Sequence, residues 1–503
     1  MSGRPGRGRD VAQLLHDFGH DLPEPVVATP EAREPRVFHG ASWRGERRRG
    51  SGWVGAKAPV TQYQMASDQA PALWPFIAAP GLPPTGAQMG LDELSGGSFY
   101  VDPNGWVMND AIPVTNSNVI CSGKPGRGKS GGTKTFCLRM MDFGYRTLIL
   151  GDVKDEYEKM CRAFGVEPIV IGPGLPGRIN PLAFGPLADG WENLGAQEVQ
   201  ERSAVVFGRW LTLIRGLVGS QHIGQQRVPF TPSDETVVNM ALDLLTGRAH
   251  GQSRLQETTI PRLWELLRTP TPDLISGCRY RDERDFLDQT RLLRDALGRL
   301  VNGVLAGLFD DYTNIEIDWR APIQSLSLAR LAPLGEEAEG TALTCMNSWG
   351  RGIREITDPG DLRVVVRDEV WKQMRLGPEA VKSFDADLRL SRTVGDIQWA
   401  NLHKPSDMTG VGDGGSQAVA IAKDLLHLAD TKIFYGQDPA VAEELHELFG
   451  LGPRAVNLIT GWALQARGRA VYMVGDRLYQ VQGILHPLER DVVFTNDALT
   501  SAA

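Results

Sequence analysis

Short runs of apolar residues alternate with amphipathic segments in two parts of the chain. Between residues 117 and 171 the apolar runs are SNVIC, RTLILGD and PIVI, separated by two segments with helical spacing. After residue 310 the pattern returns in NIEIDW, IQSLSLARL, LRVVV, DIQWANL, TKIFYG, RAVYMV and RLYQVQGIL. Continuous apolar strands separated by helices are typical of a parallel sheet covered on both faces. The pattern therefore predicts an α/β fold with a mostly parallel sheet.

The stretch between residues 191 and 309 has a different period. Its apolar residues recur three and four positions apart, with no strand pattern between them, in AVVFGRWLTLIRGLV, ETVVNMALDLL, PRLWELLRT and FLDQTRLLRDALGRLVNGVL. Ser233 and Asp234 are candidate N-caps for the second of these segments. We therefore expect an all-helical insertion at residues 191–309, which divides the α/β core into residues 96–190 and 310–503.

Residues 1–95 differ in composition from the rest of the chain. They are rich in glycine and proline, and runs such as RGERRRG mix arginine with glycine without apolar periodicity. Because such segments cannot bury enough apolar surface to fold, residues 1–60 are predicted to be mostly disordered. Their arginines fit a solvated tail better than a contact with nucleic acid or anionic lipid. From about residue 97, SFYVDPNGWVMN and AIPVTNSNVICSG indicate short strands.

The overall composition excludes several protein classes. Hydrophobic residues make up 42% and charged residues 23% of the 503 positions, which is unlike collagen, a coiled coil or a disordered chain. No run approaches the roughly 18 apolar residues of a membrane-spanning helix, and no signal peptide is recognisable. The five cysteines form no CxxC pair, which argues against a disulfide framework or a zinc site and fits a reducing cytosol. The net charge of −8 does not attract nucleic acid in bulk.

The most specific motif is GKPGRGKS at residues 123–130, which matches G-x-x-x-x-G-K-[ST] between a predicted strand and a predicted helix. In such a P-loop the backbone N–H groups turn inward to hold phosphates, helped by the positive end of the following helix. Lys129 is expected to reach the β- and γ-phosphates of ATP, and the Ser130 hydroxyl to bind Mg²⁺. The predicted nucleotide-binding residues are Gly123, Lys124, Pro125, Gly126, Arg127, Gly128, Lys129, Ser130 and Gly131.

Two acidic residues follow the apolar run VVV and complete the expected site. We predict that Asp368 holds Mg²⁺ through water and that Glu369 accepts a proton from the attacking water. A solvated turn after a strand is the alternative interpretation, and the P-loop in the same chain favours the catalytic one. Arg367 stands where a buried apolar residue is expected, which suggests that the strand has left the sheet by that position.

Polar residues also follow the run RTLILGD. Because the carboxyl edge of a parallel sheet faces the ligand, Asp152, Lys154 and Glu156 are expected to line either the nucleotide site or a subunit interface. For Asp155 and Glu156, the acidic first turn of the next helix is an equally good interpretation.

Further candidates lie at the ends of later predicted strands. His403 and Asp407 follow DIQWANL, and Gln437 ends TKIFYG. A neutral polar side chain there is suited to orient the hydrolytic water or to sense the γ-phosphate, although Gln437 equally fits a plain loop start. No partner at metal-ligand spacing accompanies His403, so we do not expect it to bind a metal. Phosphoryl transfer also needs a cation on the developing charge, and the candidates are Arg389, Arg392, Arg467 and Arg469.

Taken in order, these motifs resemble those of one family. The segments SGKPGRGKS, LGDVKDEYEKM, RINPL, LAGLFDD, VVVRDEVW, NLHKPSDM and TKIFYGQ are similar to those of the VirB/TraC-type ATPases of conjugative type IV secretion, in the FtsK/HerA branch of RecA-like motors. The resemblance covers roughly residues 95–490, and SFYVDPNGWV and HKPSDMTGVGDGGS look like the actinobacterial members. The chain departs from the family at Leu402-His403, where many relatives have Thr-Gln. Its amino-terminal segment is short where relatives have a long channel-contacting domain.

The resemblance implies a RecA-like core that hydrolyses ATP with Mg²⁺ at the subunit boundaries of a hexamer. It also implies a cytoplasmic protein at the inner face of the cell membrane, docked on membrane-embedded channel subunits and powering transfer of DNA or protein. The expected catalytic residues are Glu369, Lys129, His403, Gln437 and Arg392, and the expected metal-binding residues are Ser130 and Asp368. Two alternatives stay open: a DNA-translocating coupling protein or pump of the FtsK/HerA type, and a non-catalytic scaffold that binds ATP only to assemble.

Overall fold

The computed structural model describes residues 81–188, 190–223, 226–250, 254–303, 305–315, 318, 320–354, 361–374, 378–406 and 424–494. All of them lie within the unit Ala78–Ala503. The disorder predicted for residues 1–60 and the candidate Asp407 fall outside these described residues.

Most strands join one large sheet. In chain order the strands are β1 (Ala87–Asp92), β2 (Ser98–Val101), β3 (Val119–Ser122), β4 (Arg146–Asp152), β5 (Ile169–Val170), β6 (His222–Ile223), β7 (Gln226–Arg227), β8 (Ile323–Ser327), β9 (Arg363–Arg367), β10 (Ile397–Leu402), β11 (Thr431–Tyr435), β12 (Arg469–Val474) and β13 (Arg477–Gly483). The sheet has eleven strands in the order β5-β8-β4-β9-β10-β3-β11-β12-β13-β1-β2, and β6 pairs with β7 in a separate hairpin. Neighbours from β5 to β11 are parallel, and those from β11 to β2 are antiparallel.

Helices connect and cover the strands. Those in the core are α1 (Pro103–Val107), α2 (Lys129–Met141) and α3 (Glu158–Ala163), followed later by α10 (Glu336–Arg354), α11 (Val370–Met374), α12 (Pro378–Val394), α13 (Pro439–Phe449), α14 (Pro453–Asn457), α15 (Ala463–Gln465) and α16 (Pro487–Val493). A π-helical turn, Leu458–Trp462, joins α14 to α15. The block between β5 and β8 contains α4 (Ala196–Gly219), α5 (Pro232–Thr246), α6 (Ile260–Arg268), α7 (Pro272–Gly277), α8 (Glu283–Gln289) and α9 (Arg291–Asn302).

Apolar residues of the parallel strands are buried on both faces of the sheet. In β4, Leu148 and Leu150 face a core shared with the helices of the insertion, whereas Ile149 faces a second core that includes Phe136 of α2. Since neighbouring residues of a strand point to opposite faces, a continuous apolar run fills both cores. The predicted α/β fold with helices on both faces is confirmed.

The structure corrects three local expectations near the domain limits. β1 pairs with β13 and so belongs to the sheet, although it precedes the expected core boundary at residue 96. The segment after Asp102 forms the short helix α1 instead of a strand, because the Asp102 carboxylate caps its first turn. The insertion is helical apart from the hairpin β6–β7. Its leucines share one core with β4 and β8.

Two residue assignments also change. The N-cap of α5 is Thr231, and Asp234 closes a capping box with it instead of acting as the cap. Arg367 has not left the sheet, because it pairs with Leu150 on β4 and Ala400 on β10 and is only 2% exposed. Its charge is accommodated inside the protein by the partners described below.

Candidate functional site

The P-loop connects β3 to α2 at the carboxyl edge of the parallel strands. Gly126 and Gly128 adopt positive φ angles of 77° and 109°, which side chains with a Cβ disfavour. The N–H of Arg127 donates to the carbonyl of Lys124 at 3.3 Å, closing the turn before α2 begins at Lys129. The first N–H groups of a helix have no partner within the helix, so the amino end of α2, which lines a large cavity described below, is suited to bind an anion.

Two neighbouring elements fix the shape of this loop. The aromatic ring of Tyr435, at the end of β11, packs so closely that a Cβ at residue 132 would lie 2.0 Å from its hydroxyl oxygen. On the other side, the N–H of Gly468 donates to the carbonyl of Arg127 at 3.0 Å, and the Arg127 guanidinium donates to the carbonyl of Leu464 at 2.8 Å. Within the motif, a Cβ on Gly123 would lie 2.6 Å from Tyr435 and one on Gly128 would lie 2.9 Å from the backbone nitrogen of Gly468, so close packing also requires glycine at these positions.

Lys129 points inward along the sheet edge. Its side chain is buried, and Nζ donates to the carbonyl oxygen of Leu402 at 2.7 Å. Nζ also lies 3.2 Å from Nδ1 of His403. Because an ammonium group can only donate, His403 accepts this hydrogen bond on Nδ1 and carries its proton on Nε2 when neutral.

His403 links the lysine to the acidic pair. Its Nε2 lies 3.1 Å from Oε1 of Glu369, so the imidazole donates to the carboxylate while accepting from Lys129. The same Glu369 oxygen also accepts a hydrogen bond from Nζ of Lys154. A row of hydrogen-bonded groups, Lys129, His403, Glu369 and Lys154, therefore runs across the carboxyl ends of β3, β10, β9 and β4.

The two acidic residues differ in electrostatic environment. Burial, together with the nearby carboxylates of Glu156 and Glu369, raises the pKa of Asp368 to about 6, although Lys129 and Lys154 pull it down. For Glu369, burial raises the pKa, but the hydrogen bonds from His403 and Lys154 outweigh it and hold the pKa well below its usual value. Glu369 has a φ of 51°, an unusual backbone conformation of the kind found at functional turns.

Gln437 lies behind this row of side chains. Its amide nitrogen donates to the carbonyl oxygen of His403 at 2.7 Å and to the Ser122 hydroxyl at 3.0 Å. Gln437 is buried and does not line the cavity described next. The structure therefore gives it contacts that hold the His403 backbone.

One cavity of about 650 Å³ contains most of the predicted site. The residues that line it include Asp368, Glu369 and His403, along with seven of the nine P-loop residues: Lys124, Pro125, Gly126, Gly128, Lys129, Ser130 and Gly131. Gly123 and Arg127 belong to the loop but face neighbouring protein. Lys154 and Glu156 also line the cavity, which supports the interpretation that they face the nucleotide.

Asp152 and Asp155 have other contacts. Oδ1 of Asp152 accepts hydrogen bonds from the backbone N–H groups of Lys154 and Glu156, and Oδ2 accepts one from Tyr157. Asp155 accepts a hydrogen bond from the Ser327 hydroxyl and precedes the first turn of α3. Asp152 thus shapes the turn that presents Lys154 and Glu156 to the cavity.

The four candidate arginines differ in whether they line the cavity. Arg392 donates to the carbonyl of Thr115 at the amino edge of the sheet, opposite the P-loop, and Arg389 pairs with Asp385 on the surface of α12. Arg469 donates to Gln482. Of the four candidates, only Arg467 lines the cavity of its own chain. A role for Arg392 across a subunit boundary stays a prediction.

Several cavity residues were not predicted from the sequence. Lys134 lies inside α2, where its Nζ is 3.6 Å from the Glu156 carboxylate and 3.3 Å from the carbonyl of Val493. Burial lowers the pKa of Lys134 against the opposing pull of Glu156. Arg490, Val493 and Phe494 reach the cavity from α16 and the residue after it. No local motif marks α16, because its place over α2 depends on contacts such as the ion pair between Arg139 and Glu489.

The donor set of the cavity fits a magnesium ion bound with a nucleotide. Ser130 and Asp368 both line the cavity, and hydroxyl and carboxylate oxygens are ligands that Mg²⁺ takes in P-loop sites. Among the described residues, no cluster of three His, Cys, Asp or Glu side chains suited to a metal occurs. A cation that takes its remaining ligands from phosphate and water is therefore consistent with this site.

Comparison with known proteins supports the fold. No family model and no curated protein sequence matches the chain. The structure is similar to that of VirB4 of Thermoanaerobacter pseudethanolicus, with 20% identity, a TM-score of 0.62, and coverage of 82% of this chain and 100% of that one. It is also similar to the bacterial conjugative coupling protein TrwBΔN70 in complex with sulphate, with 12% identity, a TM-score of 0.50, and coverage of 80% and 90%. The chain therefore has the same P-loop fold as these two structures, as its sequence motifs predict.

Proposed function

We propose that this chain is a Mg²⁺-dependent ATPase that powers transfer of DNA or protein in a conjugation or type IV secretion-like system. The observation that carries the proposal is the single cavity between the P-loop and the Asp368-Glu369 turn. A triphosphate needs inward-facing amides, a lysine and a metal-binding hydroxyl on one side and two carboxylates on the other. This cavity has all of these groups at the carboxyl ends of β3 and β9, the two strands that flank β10.

Each residue has a distinct task in the proposed reaction. The amino end of α2 binds the β- and γ-phosphates, and Lys129 exchanges its contact with the Leu402 carbonyl for a phosphate oxygen. Ser130 and Asp368 would hold Mg²⁺, which would supply positive charge beside the phosphates. Glu369 orients the attacking water and accepts its proton, while His403 and Lys154 hold the carboxylate in place. Gln437 keeps the His403 backbone in register.

We further propose that the active form is a ring of several copies, with a hexamer as the expected state. The cavity opens at the edge of the sheet, and α16 and Phe494 form part of its lining. Arg389 and Arg392 do not reach the cavity of their own chain. In the proposed ring, either residue would therefore contact a nucleotide only in the cavity of a neighbouring copy. Among the described residues no helix is both long and apolar enough to cross a membrane. We propose that the chain attaches to the inner face of the membrane through channel subunits.

The test is ATP turnover by purified protein, with two matched variants. Lys129→Ala removes the phosphate-binding cation and is expected to lower nucleotide affinity and turnover together. Glu369→Gln keeps the shape of the side chain and is expected to bind ATP with turnover reduced about 100-fold or more. Turnover equal to that of the unchanged protein in the Glu369→Gln variant would exclude the assigned base.

The alternatives predict different results from the same protein. A non-catalytic scaffold would form nucleotide-dependent rings without releasing phosphate, and the placement of Glu369 in the cavity speaks against it. A DNA pump of the coupling type would bind duplex DNA with an affinity that falls steeply with salt. Measuring turnover against protein concentration, with and without DNA, separates these cases, because a ring enzyme shows a threshold concentration and a DNA pump responds to DNA.

A further inference from the structure

A buried charge cluster lies directly behind the Asp368-Glu369 turn. Arg367, the last residue of β9, donates to Oδ2 of Asp387 at 2.7 Å and to Oε1 of Gln398 at 3.3 Å. Asp387 belongs to α12 and Gln398 to β10. The guanidinium also donates to the side chain of Asn347 on α10. Arg367, Asp387, Gln398 and Asn347 are each less than 5% exposed.

Asp387 is shared between two arginines. While Oδ2 accepts from Arg367, Oδ1 accepts from Nε of Arg351 on α10 at 2.5 Å. One buried carboxylate thus joins β9, α10 and α12. Taking such charges out of water costs free energy that their mutual attraction often fails to exceed, so a buried ion pair is poor evidence of a stabilising role. Its fixed geometry is the property that distinguishes it from an apolar contact.

A second ion pair anchors the other end of the same turn. Lys372, on α11, pairs with the buried carboxylate of Glu339 on α10. The catalytic residues 368 and 369 therefore lie between Arg367 and Lys372 in the chain. Lys372 contacts α10 directly, and Arg367 is also connected to α10 through Asp387. Glu369 has the strained φ of 51°, and strain of this kind persists only where the surroundings over-determine the backbone.

Helix α10 is itself held by the insertion and the sheet. A Cβ placed on Gly216 of α4 would be in ordinary contact with Thr344 of α10. Gly350 of α10 and Gly151 of β4 are each so closely packed against a leucine of the other element that a Cβ would overlap it. The position of α10 is thus set by tight packing, and the two ion pairs connect that position to the turn.

We propose that Asp387 is a positioning residue for ATP hydrolysis: by binding Arg367 and Arg351 together, it holds Asp368 and Glu369 at the distance from the P-loop that the reaction needs. The proposal rests on the proposed function. Asp387 does not line the cavity, so in this arrangement it touches neither nucleotide nor metal. Its effect is therefore expected in turnover and in Mg²⁺ dependence, and not in the affinity of the P-loop for phosphate.

The experiment compares Asp387→Asn with Asp385→Asn, two residues earlier on the same helix. Asp385 pairs with the exposed Arg389 and belongs to no part of the site. Displacing catalytic groups by about 1 Å costs about 100-fold, so Asp387→Asn should lower kcat by a factor of that order. The KM for ATP should stay unchanged and the half-saturating Mg²⁺ concentration should rise. The Asp385→Asn variant should keep both parameters. Normal kcat in a folded Asp387→Asn variant would overturn the proposal.

Two further measurements keep the result decisive. If Asp387→Asn fails to fold, Arg351→Gln takes its place, because this arginine is partly exposed and its loss leaves the pair between Asp387 and Arg367 intact. A fall in kcat at constant KM in that variant supports the proposal, and an unchanged kcat overturns it. If the unchanged protein itself hydrolyses nothing, the proposed function fails. The positioning role is then judged by whether Asp387→Asn reduces the Mg²⁺-dependent gain in affinity for a non-hydrolysable ATP analogue.

Discussion

The side-chain amide of Gln437 donates a hydrogen bond of 2.7 Å to the carbonyl oxygen of His403. The two residues follow β11 and β10, which flank β3 on either side. The contact places Gln437 one step behind the groups that face the cavity, because His403 in turn contacts both Lys129 and Glu369. The predicted phosphate sensor Gln437 thus fixes the backbone of His403, and His403 is the residue that lines the cavity.

Replacing Gln437 by Leu should lower turnover more than nucleotide affinity. The backbone carbonyl of His403 and the hydroxyl of Ser122 would both lose a donor, and His403 would lose its orientation towards Glu369. We expect kcat to fall about 10-fold to 100-fold, by the same positioning logic, with the dissociation constant for an ATP analogue nearly unchanged. Steady-state kinetics and equilibrium binding measure the two quantities separately. A variant that loses binding but keeps kcat would contradict this arrangement.

Lys154 provides a second test of the row of side chains. Replacing it by Met removes the ammonium that contacts Oε1 of Glu369 and leaves a chain of similar length. Turnover is expected to fall roughly 10-fold, since one group that orients the catalytic carboxylate is lost. Lys154→Arg retains a cation with hydrogen-bond donors and should recover part of the activity. Equal activity of the Met and Arg variants would show that the charge at this position is irrelevant to hydrolysis.

The packing of Tyr435 against α2 predicts a steric effect on stability. In Gly132→Ala the new Cβ would overlap the Tyr435 hydroxyl, which is buried and cannot swing away. Overpacking of this kind costs about 1–3 kcal/mol of unfolding free energy. Adding Tyr435→Phe should recover most of that loss, and the coupling between the two substitutions is read from a double-mutant cycle.

Gly131→Ala is the matched control for stability. A Cβ at that position would meet only Val493, at an ordinary 3.7 Å. Because alanine is a better helix former than glycine, this variant should be as stable as the unchanged protein or more stable by up to about 1 kcal/mol. If both alanine variants lose the same stability, the Tyr435 overlap is not the cause.

The ion pair between Arg139 and Glu489 makes the attachment of α16 to α2 sensitive to pH. Nε and Nη2 of Arg139 donate to the two oxygens of Glu489 at 2.7 and 2.6 Å. Burial raises the pKa of Glu489, but these hydrogen bonds and one from the His486 backbone outweigh it and lower the pKa. A lowered folded pKa means that the pair stabilises the protein above the unfolded value, about 4.3 for Glu, and that this contribution is lost as the pH falls further.

Glu489→Gln should therefore lower the melting temperature at pH 7, and this difference should shrink as the pH falls below about 4.3. The loss at neutral pH is expected to be about 1–2 kcal/mol, since a bidentate contact with a charged guanidinium is stronger than an ordinary surface pair. Thermal unfolding of the two proteins across this pH range measures the difference. A difference that does not change with pH would mean that the ionised carboxylate is not responsible.

The sequence contained enough information to identify the P-loop, the acidic pair and the class of fold. The glycines at 123 and 128 and the residues Lys129 and Ser130 form a pattern in which each position has a physical task, so the pattern can be recognised without coordinates. The strands RTLILGD and LRVVV are buried on both faces, and this burial requires an uninterrupted apolar run. The same reasoning wrongly predicted that the strand ends before Arg367. A charged residue can be recognised as buried within a strand only when its partner, here Asp387 on α12, is known.

Local sequence thus determined what can bind a triphosphate and most of the strands of the sheet, since these depend on neighbouring positions along the chain. The tertiary structure decided which side chains meet: Lys154 with Glu369, Gln437 with His403, and Arg367 with Asp387. It also decided that α16 closes over the P-loop helix and that Arg392 lies at the opposite edge of the sheet. These contacts join residues between 20 and 350 positions apart, and their energies depend on strand order and helix packing, which no short segment encodes.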